Sequence, residues 1–169
     1  MSGFRVSSLT VGTGTLGICP IPGGAGDYSG DIAAILRWRP DVVFTMTSAS
    51  ELRSVGADRI GGDLSRLGIR WQHLPIKDFG APETATAALW PAAARAARAA
   101  LGDGGRVLVH CYGGCGRSGM AALRLMVELG EPAQVALQRL RSARPCAVET
   151  EAQMAWALGP VAQTPDSQA

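Results

Sequence analysis

The segment His110-Cys111-Tyr112-Gly113-Gly114-Cys115-Gly116-Arg117-Ser118-Gly119 constrains this chain more than any other. It follows Arg106-Val107-Leu108-Val109, an apolar run that reads as a buried strand, and it precedes a stretch that reads as a helix over 117–129. Strand, glycine-rich turn and helix in that order aim the turn's amide N–H groups at a helix N-terminus, where they favour a dianion. Glycines at 113, 114 and 116 let the backbone take positive φ and approach a ligand closely. A thiol among converging donors and beside a guanidinium loses its proton readily, which makes Cys111 a candidate nucleophile. Arg117 can clamp two oxygens of a phosphoryl group with a bidentate fork. Ser118 can donate a hydrogen bond to the sulfur and ease its departure, and His110 is expected to hold the loop by bonding backbone carbonyls. Tyr112, Gly113, Gly114, Cys115 and Gly116, together with Arg117, form the expected phosphate-binding set.

The rest of the chain reads as strands alternating with helices. Residues 6–11, 41–45, 69–76 and 106–110 are expected strands. Asp31 fits the N-cap of a helix that Pro40 stops, and 50–67 reads as helical with a break near Gly61-Gly62. The Ala-rich stretch 83–101 reads as a helix kinked or restarted at Pro91, and helices over 132–142 and 149–158 follow. That alternation predicts an α/β fold, a central mostly parallel sheet of four to five strands flanked by helices. With 169 residues the chain is long enough for a full core, and it reads as one domain over 1–160 with a polar tail at 161–169. Gly12-Thr13-Gly14-Thr15-Leu16-Gly17 matches a dinucleotide fingerprint, but Cys19-Pro20-Ile21-Pro22 follows where a helix must start, so a turn between two strands is the reading.

Composition removes other classes. At 47% hydrophobic, 18% charged and net charge +2, the chain is neither disordered nor basic enough to imply nucleic acid. No run has the length of a signal peptide or a membrane span, so a soluble cytoplasmic protein without a membrane partner is expected. The four cysteines, Cys19, Cys111, Cys115 and Cys146, are then expected to be reduced. Two histidines and no Cys-x-x-Cys spacing imply no metal, and His73 reads as a packed histidine.

The ten-residue segment resembles the loop of the cysteine-dependent protein phosphatases, His-Cys-x5-Arg-Ser/Thr. Within that family it is most similar to the dual-specificity and tyrosine phosphatases of the kinase-associated phosphatase group, which share His-Cys-Tyr-Gly-Gly-x-Gly-Arg-Ser. Pro22-Gly23, Glu51-Leu52, Pro75-Ile76-x-Asp78 and Thr150-x-x-Gln153 extend the resemblance over most of the chain. It implies that Asp78, on a movable loop after a strand, is the general acid, and that Gln153 positions the hydrolytic water. Glu51 and Thr150 would orient loops. The implied enzyme is a metal- and cofactor-independent phosphoprotein phosphatase. It would hydrolyse phosphotyrosine, with phosphoserine and phosphothreonine also admitted, through a phosphocysteine, and would hold phosphate, sulfate or vanadate in its loop. Lysines that commonly serve inositol phosphates are absent from the loop, which favours a phosphorylated protein or peptide. The alternative is a non-catalytic phosphopeptide-binding module using the same anion pocket. Cys115 departs from the group, which has an apolar residue there, and could capture an oxidised Cys111 as a disulfide.

Overall fold

Alternation along the strands decides the architecture. Leu16 and Ile18, Val42 and Phe44, and Val107 and Val109 all turn to one side, while Cys19, Val43 and Leu108 turn to the other. The strands therefore carry apolar side chains on both faces and need helices on both, as buried parallel sheets do. A computed structural model, which describes residues 3–163, has this arrangement. The strands are β1 (Ser7–Val11), β2 (Gly14–Cys19), β3 (Val42–Thr45), β4 (Arg70–His73) and β5 (Arg106–His110). They lie in the order β1-β2-β5-β3-β4, with β1 antiparallel to β2 and the other pairs parallel. Helices α1 (Tyr28–Trp38), α2 (Ala49–Ser54) and α3 (Ile60–Ser65) contribute to the core on one face. The other face packs against α4 (Thr84–Gly102), α5 (Gly116–Glu128), α6 (Ala133–Ala143) and α7 (Glu151–Gln163).

Several sequence expectations shift. The chain around Gly12 is the turn of the β1–β2 hairpin, in keeping with the missing helix start after Gly17. Asp31 is not the cap of α1: Asp27 is, accepting from Gly30 N–H at 2.9 Å, and the helix begins one turn early so that Tyr28 is buried. The broken helix expected over 50–67 is two short helices, with the break placed earlier than expected. It breaks before Gly61-Gly62, where Gly56 takes φ 71°, and Gly61 lies inside α3, its lack of a Cβ leaving room for the Trp71 ring, which a Cβ would meet at 2.6 Å. Strand β4 ends at His73, since Pro75 cannot donate to the ladder. Helix α4 runs through Pro91 without restarting. The buried stripe Trp90, Ala93, Ala94, Ala97 and Leu101 outweighs the missing bond, a cost of about 3 kcal/mol. The tail expected at 161–169 falls outside the described residues from 164 onward. Among the described residues no helix is long and apolar enough to cross a membrane.

Candidate active site

The C-terminal ends of the four parallel strands lie side by side, so the segments that follow them converge. This is where open α/β sheets place ligands. Strand β5 delivers Cys111 and the loop that opens α5, β3 delivers Ser48 and Glu51, β4 delivers Asp78, and β2 delivers the turn at Pro22-Gly23.

Cys111 is buried, with its Sγ 3.2 Å from Ser118 Oγ. Gly114 holds φ 72°, and a Cβ there would stand 2.8 Å from the Cys19 backbone. At Gly116 a Cβ would meet Glu149 Oε1 at 2.3 Å and the Gln153 amide at 2.7 Å. Gly114 admits only glycine, and at Gly116 a side chain would have to displace Glu149 and Gln153, so the loop is packed closely on both sides.

Among the described residues Arg117 is the largest fully buried side chain, 1% exposed. Its Nη1 donates to Glu51 Oε2 and to Ile76 O, and its Nη2 to Glu51 Oε1, each at 2.9 Å. Asp78 Oδ1 stands 3.4 Å from the same Nη2. Burial works to lower the Arg117 pKa, but the Glu51 bonds and the charges of Cys111 and Asp78 outweigh it and hold it above its usual value. Burial likewise opposes the Glu51 charge, and Arg117 with the Ser48 amide overcomes it, keeping Glu51 below the ordinary carboxylate range. Glu51 owes its position to a capping box: Ser48 accepts from the Glu51 amide and Glu51 accepts from the Ser48 amide. Arg117 Nε, buried, has no partner.

The expected general acid sits on the rim of this site. Asp78 is 57% exposed along its side chain and accepts from Phe79 N–H at 3.0 Å, and Phe79 takes φ 62°. Two groups latch the loop it stands on, Thr150 Oγ1 donating to Phe79 O and Gln153 Nε2 to Gly80 O, both at 3.2 Å. Gln153 is buried, and its Oε1 also accepts from the Glu149 and Thr150 amides, so it caps α7 while lying against Gly116. A cleft of about 460 Å³ opens beside Asp78, bordered by Ser48, Glu51, Ile76 and Thr86. A larger cavity, about 720 Å³, borders Trp38, Asp41 and Gly105 at the other ends of the strands and holds none of these residues.

His110 is fully buried. Its short bond is to a side chain, Nε2 to Thr45 Oγ1 at 2.7 Å, whereas Nδ1 lies 3.4 Å from Cys111 O. The expected hold through backbone carbonyls is therefore secondary. Thr45 Oγ1 also accepts from Trp71 Nε1 at 2.8 Å. His73, packed as expected, stacks on Trp71 and bonds Thr47 O at 2.7 Å. Burial, aided by the positive charges nearby, pushes the His110 pKa down from 6.5 to about 4. Between those values the unfolded chain binds a proton that the folded one refuses, so stability is lost as pH falls from 6.5 towards 4. The loss reaches about 3 kcal/mol. Urea midpoints measured at pH 7.5 and pH 4.5 should show that acid slope flattened in His110→Gln.

Two features were not read from the sequence. Arg144 braces the loop from outside, Nε donating to Gly114 O at 2.9 Å and Nη2 to Gly113 O at 3.0 Å. Cys115 and Cys146, expected to be reduced, form a disulfide. The sulfur assigned to rescue an oxidised Cys111 is thus already committed, because the α6–α7 connection brings Cys146 within a Cα separation of 5.1 Å of Cys115. Cys19 and Cys111 stay as free thiols, Cys19 held protonated by burial and by the Cys111 charge. The disulfide closes 31 residues of chain onto the loop, which by chain entropy stabilises the fold by about 4 kcal/mol. Cys146→Ser should lower the urea midpoint accordingly, and dithiothreitol should lower it for the wild type alone.

Comparison with known proteins places this geometry. The family model described as "Polymorphic toxin system, DSP-PTPase phosphatase" matches residues 41–131, from β3 to the end of α5 and just beyond, more than half of the chain. The chain belongs to that family. It is a phosphatase of the dual-specificity and tyrosine class. Among solved structures, kinase associated phosphatase (KAP), carrying a serine in place of its catalytic site cysteine, superposes with a TM-score of 0.79 at 23% identity, covering 93% of each chain. Tk-PTP in its active form has a TM-score of 0.65 and 28% identity, covering 88% of this chain and 91% of its own. PTPMT1 in complex with PI(5)P reaches 0.70 at 15% identity, over 89% of this chain and 92% of its own. These likenesses establish the expected fold, a five-stranded sheet flanked by helices. No curated protein matches the chain.

Proposed function

We propose that this phosphatase hydrolyses phosphorylated proteins in two steps through a phosphocysteine, without metal. The observation that carries the reading is the buried guanidinium of Arg117. Glu51 and Ile76 hold its outer nitrogens, while Nε, equally buried, is left without a partner, and the Cys111 charge acts on the same guanidinium. A buried donor of a charged group is costly when unpaired, and a phosphoryl oxygen in the loop would satisfy it. In the first step Cys111 Sγ attacks phosphorus while Asp78 gives a proton to the departing oxygen. The loop amides from Tyr112 to Gly116 and the fork of Arg117 stabilise the equatorial oxygens. In the second, water attacks the phosphocysteine, Asp78 takes its proton, and Ser118 donates to the departing sulfur, consistent with their 3.2 Å separation. Gln153 supports the second step by holding the Asp78 loop against Gly116, close to where the water must stand. A loop without lysine favours phosphotyrosine, with phosphoserine and phosphothreonine, over polyanionic lipid headgroups.

Rapid-quench hydrolysis of p-nitrophenyl phosphate in EDTA tests the scheme. A burst of nitrophenol ahead of steady turnover is expected. On a phosphotyrosine peptide, whose leaving group needs the proton more, Asp78→Asn should cut kcat by about 10²- to 10³-fold. Phosphopeptide binding with neither burst nor EDTA-resistant turnover would overturn the scheme in favour of a phosphopeptide-binding module.

A further inference from the structure

A second cavity, of about 330 Å³, shares Tyr112 and Gly113 with the phosphate loop and is otherwise bordered chiefly by Phe4, Pro20, Ile21 and Asp31. The side chains lining it are apolar apart from the Tyr112 phenol and one carboxylate. Asp31, in the first turn of α1, is 2% exposed, and its carboxylate is only half used. Oδ2 accepts from Gly23 N–H at 2.8 Å, which ties the Pro22-Gly23 turn to α1, but Oδ1 has no partner. Among the described residues no arginine or lysine pairs with Asp31. The turn explains one oxygen and leaves the other to explain.

The chemistry of an occupant follows from these walls. A carboxylate oxygen repels anions and accepts only from donors, and its charge is best met by a cation. A metal is a poor candidate, since among the described residues no group of three or more His, Cys, Asp or Glu could hold one. Phe4, Pro20 and Ile21 instead suit the methylene stem of a lysine or arginine, which packs against apolar surface while its head makes the polar contact. Position supplies the last constraint. The Ile21 amide donates to Tyr112 O at 3.0 Å, so the cavity wall and the phosphate loop are one continuous piece of structure. A group in the cavity lies within a few residues' reach of a phosphate in the loop, at about 3.5 Å of extended chain per residue.

We propose that this cavity is a substrate subsite that takes a basic side chain flanking the phosphorylated residue, with Asp31 as its counter-charge. The inference rests on the phosphoprotein reading above and deepens it to a substrate class, phosphopeptides with a lysine or arginine near the phosphoresidue.

The experiment uses phosphotyrosine peptides that carry lysine or norleucine at one position, scanned from three residues before the phosphoresidue to three after. Norleucine keeps the stem and removes the charge. At one or two positions the lysine peptide should show about ten-fold higher kcat/KM. Asp31→Asn, which keeps an acceptor for Gly23 N–H, should bring that ratio close to one while the norleucine peptide is still hydrolysed. Ala25→Phe, on the exposed rim of the cavity, should also abolish the preference by filling the space, and it serves if the Asn variant does not fold. The ratio is read within each variant, so a general loss of activity cancels. Equal kcat/KM for both peptides at every position, or a preference that survives both substitutions, overturns the subsite and leaves the phosphatase reading intact. Failure of the wild type to hydrolyse any of the peptides overturns the phosphoprotein reading and the subsite with it.

Discussion

Cys111→Ser should abolish turnover, with kcat reduced by about 10⁴-fold or more, while the protein still folds and still binds phosphopeptide. The hydroxyl is nearly isosteric and can keep the contact with Ser118 Oγ, so neither the loop nor α5 loses a packing partner. What it loses is nucleophilicity, because a serine hydroxyl does not ionise near neutrality. Solved KAP carries this kind of substitution at its own catalytic site cysteine and has the same fold. Two measurements on one variant separate the hypotheses: absence of the nitrophenol burst, and phosphopeptide affinity by titration calorimetry. Retained affinity with lost turnover supports the covalent scheme. Turnover surviving in the serine variant would show that another group attacks phosphorus.

Arg117→Lys should be nearly as damaging to catalysis, lowering kcat/KM by about 10³-fold, even though the charge is preserved. Lysine is a point charge on a flexible stem. It cannot bond both Glu51 oxygens and Ile76 O and also direct a further N–H at the phosphoryl group. Arg117→Ala adds a stability cost that the lysine variant largely escapes. Glu51 would keep its capping-box position with nothing to balance its charge, a loss of about 2 kcal/mol, moderated because its side chain is partly exposed. The split is visible as a modest change in urea midpoint for lysine and a larger one for alanine, set against similar losses of activity. A lysine variant with near-wild-type kcat/KM would refute the bidentate role.

Local chemistry was legible wherever the residues concerned are contiguous. Strand β5 coincides with its expected range, 106–110, because a continuous apolar run ending in a glycine-rich turn has little else to become. The loop from Cys111 to Arg117 was readable for the same reason, as was the hairpin at Gly12, where the missing helix excluded a dinucleotide site. Helix boundaries were less readable. Asp31 was the expected cap of α1, and the cap is Asp27, one turn earlier, with Tyr28 buried in the added turn. At Pro91 the helix continues where a restart was one of the two expectations, since a buried helical stripe is worth more than one lost hydrogen bond.

By itself, then, the sequence determined the α/β class, the strand, glycine-rich loop and helix around Cys111, the thiol and guanidinium that this loop carries, and the absence of a helix where a dinucleotide would need one. All of these follow from short-range stereochemistry. Only the tertiary structure decided which distant groups serve the loop. Glu51 meets Arg117 across 66 positions because β3 lies beside β5, and the Thr45–His110 bond arises from the same pairing. Packing of α6 and α7 against α5 brings Arg144 and Cys146 to the loop's outer side, where Cys146 takes the sulfur of Cys115. The end of β2 beside β5 sets the Asp31 cavity next to Tyr112. Strand order and helix docking are set by the summed burial of the whole core, and no short segment carries that sum.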